Sequence, residues 1–204
     1  MFAVTRQRVA PVTGPTEKNR ALVQRWRAVL GGAGELAVRA YTTTDRSLRV
    51  DVFSAADAPR PGTTTFATIG LSDTRNALGP GLNAPTELIA VGASPSDLPA
   101  RTLATVSFDH LTSGITLEVG VAVPAAIARN EPGVALPHAF LTDAFLWDDL
   151  RGLEVGGTVV HALLVVPISN DELRLFEAEG PAALDARFEE HEIDVADWQR
   201  PSVV

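Results

Sequence analysis

The chain has no cysteine among its 204 residues, which excludes a disulfide, a thiolate nucleophile and any zinc site built on sulfur. Long hydrophobic runs are also missing. No stretch approaches the roughly 18 uninterrupted apolar residues of a membrane-spanning helix, and the opening MFAVTRQRVAPVTG lacks the apolar core of a secretory signal. A soluble cytoplasmic protein, with no membrane association, is therefore expected. Phosphate-binding glycine loops are absent too: GGAG at Gly31 follows a predicted helix instead of opening one, and G-x-x-x-x-G-K-[ST] does not occur. Aromatic residues are few, at 6%, and Phe140, Phe145, Trp147 and Phe176 fall where acidic residues dominate. Stacking of nucleic acid bases needs aromatics interleaved with basic groups, so nucleic acid is not an expected partner.

What is present suits one well-buried core. Apolar residues make up 46% and charged residues 21%, close to globular averages. The net charge is −8, but it is unevenly spread. Residues 1–60 hold ten Lys/Arg against five Asp/Glu, whereas residues 138–204 hold four against fourteen. An acidic surface repels phosphate backbones and favours a basic protein partner, although such faces are commonly no more than solvated.

Local patterning divides the chain into a punctuated arm (1–15) and one domain (16–204). Thr16 to Leu30 reads as a helix with Leu22, Val23, Trp26, Val29 and Leu30 on one face. Glu35 to Gly70 changes to strand periodicity in three segments, ELAVRAYTTT, SLRVDVFSA and TTTFATIG. In the second, Leu48, Val50 and Val52 alternate with Arg49 and Asp51, predicting a half-buried strand with one wet face. Gly70 to Pro85 is the longest irregular segment, and long loops of this kind are functional or mobile. ELIAVG (Glu87 to Gly92) returns as a strand, Ser96 to Ser113 as a central helix. ITLEVGVAVP begins as a strand and dissolves into a connection through Pro137, and HAFLTDAFLW supplies another strand or strand pair.

The last third is the most telling. VVHALLVV (Val159 to Val166) is a continuous apolar run rich in β-branched residues, suited to a strand buried on both faces and stopped by Pro167. Ser169 stands three residues before Glu172, the spacing of a capping box, and predicts a helix over Asn170 to Glu179 that Gly180 and Pro181 end. PAALDARFEEH follows as a final helix built around Leu184 and Phe188, then VADWQRPSVV closes the chain. These elements predict an α+β fold, a mixed and largely antiparallel sheet flanked by helices in a single domain.

This strand, proline and capped-helix grammar, with the DWQRPSV tail behind it and TTTFATIGLSD and ELIAVG in matching order ahead of it, resembles the suppressor-of-fused (SUFU-like) domain family over about Glu35 to Ser202. The resemblance implies a module that binds proteins without turnover. Animal members are larger and sequester a transcription factor by holding a short peptide in an extended conformation. Stand-alone members of this size are bacterial and look like immunity proteins that neutralise a cognate toxin. An adaptor or regulatory domain for another protein or peptide is the alternative that the resemblance allows.

Searches for chemistry support binding over catalysis. GLSDT at Gly70 and GASPS at Gly92 each lack the second glycine of a nucleophile elbow. His138, Asp143, Asp148 and Asp149 cluster in sequence but match no metal-ligand spacing, and Asp148 and Asp149 are expected to open a turn beside a packed Trp147. His161, in the middle of an apolar strand, is expected to be a satisfied core residue. No catalytic residue, metal or cofactor is therefore assigned. Asp73 and Arg75 in the long loop, and Glu177, Glu179, Glu189 and Glu190 on the last two helices, are the candidate partner-binding residues, with a basic toxin as the expected partner.

Overall fold

The computed structural model describes residues 16–31, 34–73, 84–150 and 152–204; the 1–15 arm, Arg75 and most of the Gly70 to Pro85 loop lie outside the described residues. Four helices are present, α1 (Glu17–Val29), α2 (Leu98–Ser113), α3 (Asn170–Glu179) and α4 (Pro181–Glu190). The strands are β1 (Leu36–Thr42), β2 (Arg49–Ala56), β3 (Thr63–Ile69), β4 (Thr86–Ala93), β5 (Val121–Val123), β6 (His138–Asp143), β7 (Leu153–Val155) and β8 (Thr158–Ile168). They form one sheet in the order β1-β2-β3-β4-β8-β6-β5, with β7 paired to β8 off that path. Every pairing is antiparallel except β4 with β8. The domain is thus α+β, a largely antiparallel sheet flanked by helices.

The period-2 alternation of the strands divides the core into two layers. On one face Phe53, Ala67, Ile89, Leu164 and Val166 pack under Leu22 and Trp26 of α1, while Phe140 and Ile168 extend the same face beneath Leu184 of α4. On the other face Val52, Phe66, Leu88 and Val165 meet Leu103 and Val106 of α2. Trp26 is fully buried, and its indole N–H donates to the Thr68 carbonyl at 3.0 Å, so α1 is fixed in register on β3. Close approach of α2 to β4 needs Gly92, where a Cβ would lie 2.5 Å from Pro99 Cγ. Because α1 covers its second face, β2 is not simply half-wet: Phe53 and Ala55 are as buried as Val50 and Val52.

Further expectations are corrected. Pro167 does not stop β8, which runs on to Ile168. Proline is tolerated there because β4 pairs with β8 only from Thr86↔His161 to Ile89↔Leu164, so beyond Leu164 that side of β8 has no ladder for a missing N–H to break. His161 is exposed, not a core residue; its backbone N–H donates to Pro85 at 2.7 Å, and Val159 beside it is 50% exposed. The α2-facing residues at the start of β8, Val159 and His161, are therefore wet, although Ala162 to Ile168 are buried throughout. In ITLEVGVAVP the strand lies at Val121–Val123 and not at its start, and HAFLTDAFLW supplies one strand that ends at Asp143.

The last ten residues close the fold where β4 and β8 diverge. Trp198 Nε1 donates to the Val91 carbonyl at 2.7 Å, and Arg200 Nη2 donates to the Pro167 carbonyl at 3.0 Å. Two strand carbonyls that have left the parallel ladder are satisfied by the tail instead of by water.

Candidate protein-binding surface

The capping box forms as its sequence spacing predicts. Glu172 N–H donates to Ser169 Oγ at 3.0 Å, and Ser169 N–H donates to Glu172 Oε2 at 2.8 Å. Glu172 is also fully buried and carries a second duty. Arg200, 5% exposed, grips it with two bonds, Nη1 to Oε1 at 2.6 Å and Nη2 to Oε2 at 3.0 Å, and Val203 N–H adds a third at 3.0 Å. The Arg200 guanidinium lies 5.2 Å from the Phe188 ring centroid, and Ser169 Oγ meets Ser202 Oγ at 2.8 Å. The DWQRPSV tail is thereby a fastening for the start of α3 and the packing of α4. The indole N–H of Trp198 and both Nη groups of Arg200 are used inside.

What these helices leave outside is acidic. Glu177 and Glu179 on α3 and Glu189 and Glu190 on α4 are all exposed, and among the described residues only Glu190 is paired, to Arg187 at 2.7 Å. Asp185 on α4 has its pKa raised from the ordinary aspartate value, first by partial burial and then by the neighbouring charges of Glu189 and Asp143. Like charges crowded this way favour an incoming cation. Sequence reading missed Asp185 and Asp143 as members of this face; the i, i+4 spacing of Asp185 and Glu189 was an available signal for the first.

Asp73 belongs elsewhere. It ends a 3-10 turn (Leu71–Asp73) after β3 and pairs with Lys18 of α1 at 2.7 Å, whereas the four glutamates ride on helices packed over β6 and β8. The turn itself is organised by a residue that the sequence reading passed over, Glu87. Its fully buried carboxylate accepts N–H bonds from Gly70 at 3.0 Å, Leu71 at 3.3 Å and Ser72 at 3.0 Å, and a hydroxyl bond from Thr68 at 2.6 Å. Burial nevertheless pushes its pKa upward, against those donors. Gly70 sits at φ +86° with Asn19 of α1 packed on it, so no Cβ fits. A glutamate inside an otherwise apolar strand was the available signal.

None of the residues considered for chemistry is assembled for it. His138 is buried at the start of β6; Ala125 N–H donates to its Nδ1 at 2.8 Å, which leaves Nε2 to donate to Asn170 Oδ1 at 2.9 Å. Asp143 sits exposed at the other end of that strand. Trp147 packs in the core beside the turn of Asp148 and Asp149. Among the described residues no group of three or more His, Asp or Glu could hold a metal ion, and no helix is long and apolar enough to cross a membrane.

Comparison with known proteins agrees with the architecture. Over 194 residues the chain is 32% identical to the immunity protein YqcF of Bacillus subtilis (strain 168), covering 94% of this chain and 100% of that one. Its fold is like that of a SUFU homolog from Neisseria gonorrhoeae, with a TM-score of 0.65 at 14% identity over 93% of this chain and 97% of the other. The Sufu–Fu complex gives 0.57 at 14% identity, covering 91% of this chain and 90% of the other, and Drosophila Suppressor of Fused 0.53 at 15%, covering 82% and 42%. Since the family profile described as Suppressor of fused protein (SUFU) matches residues 46–201, slightly inside the span the sequence motifs suggested, the chain belongs to the SUFU family.

Proposed function

We propose that this chain is a protein-binding module without catalysis, an immunity protein that neutralises a cognate toxin by direct contact in the cytoplasm. The observation that carries the reading is its 32% identity with the immunity protein YqcF along the whole of that relative. The acidic face of α3 and α4 supports a basic partner, such as a toxin whose own substrate is polyanionic, because complementary charge speeds encounter and excludes wrong partners. The same field opposes direct contact with nucleic acid. Glu177, Glu179, Glu189 and Glu190 form the principal contact in this proposal. Asp73, which lies beside α1, forms a second one together with Arg75.

Co-expression with each neighbouring gene product tests the reading. Protection from one toxic product, together with a co-purifying complex, is the expected result. Neither complex nor protection from any of them would replace immunity with the alternative role, regulation of another protein or peptide.

A further inference from the structure

β1 ends the sheet on its α1 side, and its outer edge is paired with no described strand. Six of its seven residues are exposed. It carries no proline and one charge, Arg39, so it lacks the usual devices that blunt an edge. Its backbone polarity can be read from the flanking bonds. Ala56 N–H donates to Glu35 O at 2.9 Å and Thr43 N–H to Leu48 O at 3.2 Å. Antiparallel bonding alternates, so Ala37, Arg39 and Tyr41 bond inward to β2 while Leu36, Val38, Ala40 and Thr42 present N–H and C=O outward.

Those same four residues point their side chains to the α1 face, since Val38 lies opposite Phe53 of that core. There an open cleft of about 300 Å³ lies between α1 and the edge, lined by Arg20, Val23, Gln24 and Arg27 of α1 with Val38 and Asp51. Val38 is 52% exposed and Leu36 36%. Asp51 is already paired with Arg49 at 2.8 Å, whereas Arg20 and Arg27 have no ion-pair partner among the described residues. Both elements precede residue 46, where the family match begins.

We infer that the β1 edge and the α1 cleft form a second binding surface, which takes an extended segment of a protein partner as an added antiparallel strand with carboxylates at alternate positions. An added strand lies about 4.8 Å beyond β1, and residues opposite Val38 and Ala40 turn their side chains onto the α1 face. Carboxylates at those positions come within reach of Arg20 and Arg27, while main-chain bonds supply the rest of the affinity. The inference rests on the chain being a protein-binding module. It does not need a toxin as partner.

The probe is a phage-displayed library of random decapeptides, selected on the full chain and counter-selected on Ala40→Pro, which removes an outward donor and no bond to β2. The expected result is a pool with Glu or Asp at alternate positions. Its best peptide should bind at least tenfold more weakly to Ala40→Pro and to Arg20→Glu/Arg27→Glu, and should shift the amide resonances of Val38 and Ala40. An absent or non-acidic pool, or binding indifferent to both variants, overturns the proposal. Protection of the Val38 and Ala40 amides from exchange in the free monomer would assign the edge to the chain's own N-terminal segment. A dimer lost in Ala40→Pro would assign it to a second copy, and either finding overturns the proposal. Failure of toxin protection by the wild type sinks the immunity reading and leaves this one standing.

Discussion

At the α3 flank of the sheet, the buried Glu172 carboxylate, the two Nη groups of buried Arg200 and the carbonyls of Val91 and Pro167 are bonded to one another and to the tail, and of this set's atoms only Arg200 Nε lacks an acceptor among the described residues. At the β1 flank, a seven-residue strand has an outer edge paired with no described strand and is hydrogen-bonded to β2, with Tyr41 against the α2-side core and an exposed Arg39–Asp97 pair at 3.7 Å as its further ties. The first flank has used its hydrogen-bonding capacity internally, so what it offers a partner is surface charge. The second has kept backbone capacity in reserve, so what it offers is a template. Substitutions of interior groups at the first flank should therefore act on stability, whereas substitutions of its surface charges and of the β1 edge should act on recognition.

The sharpest way to break this contrast is Arg200→Ala. It leaves a fully buried carboxylate without its cation and frees the tail, and we expect a loss of about 3–5 kcal/mol in urea unfolding. Glu172→Leu combined with Arg200→Met should recover only the part of that loss due to the unpaired charge, because the Ser169 and Val203 N–H groups and the Pro167 carbonyl still lose their partners. A loss below about 1 kcal/mol for Arg200→Ala would mean that the tail is not what fastens this flank.

Glu87→Leu comes next. It removes the buried acceptor of the Gly70 and Ser72 N–H groups and the Thr68 hydroxyl, and should cost about 1–3 kcal/mol. The pH dependence separates this site from the tail. Burial raises the Glu87 pKa above its unfolded value, so between those two values the native state holds a proton that the unfolded chain releases. Stability from this group is full below the unfolded value and falls as pH rises through the folded one. Wild type should thus lose stability relative to Glu87→Gln as pH rises from about 4.3; a wild type that gains on the variant over that window would reverse the assignment.

Local rules carried the reading of α3 from residue types alone, since Ser169 and Glu172 cap a helix through atoms three residues apart. The interior of β8 was equally legible, because a β-branched apolar run needs cover on both faces. Its ends were not. Pro167 looked like a stop because nothing local reveals that β4 has turned away, and His161 looked buried because its exposure depends on how far α2 reaches. Glu87 and Arg200 were missed for the same reason, their partners lying 15 to 33 residues away. Of the candidate binding residues, the exposure of the four glutamates was legible from helical spacing. The separation of Asp73 from them required the fold.

Trp198→Phe is a milder probe of the same flank. The indole N–H bond to Val91 is lost while the ring stays packed, and the expected cost is about 1 kcal/mol. Because Val91 O would then lack its donor at the point where β4 leaves β8, hydrogen exchange should quicken in Ala90 to Ala93 and leave β1 unchanged. Faster exchange at β1 instead would show that the two flanks are coupled.

The smallest effect on stability should come from the largest change in charge. Replacing Glu177, Glu179, Glu189 and Glu190 with lysine alters the exterior of α3 and α4 and sacrifices one exposed pair, Arg187 with Glu190, worth about 0.2–0.5 kcal/mol. The urea midpoint should barely move, since the bonds that hold these helices lie beneath them. The carboxyl of Asp185 should titrate at lower pH by NMR, as Glu189 no longer opposes its ionisation and a lysine favours it. With a basic partner, association should slow and lose its salt dependence while dissociation changes less. Large destabilisation by these four substitutions would mean that the acidic face is structural, and the division of labour between the two flanks would fail.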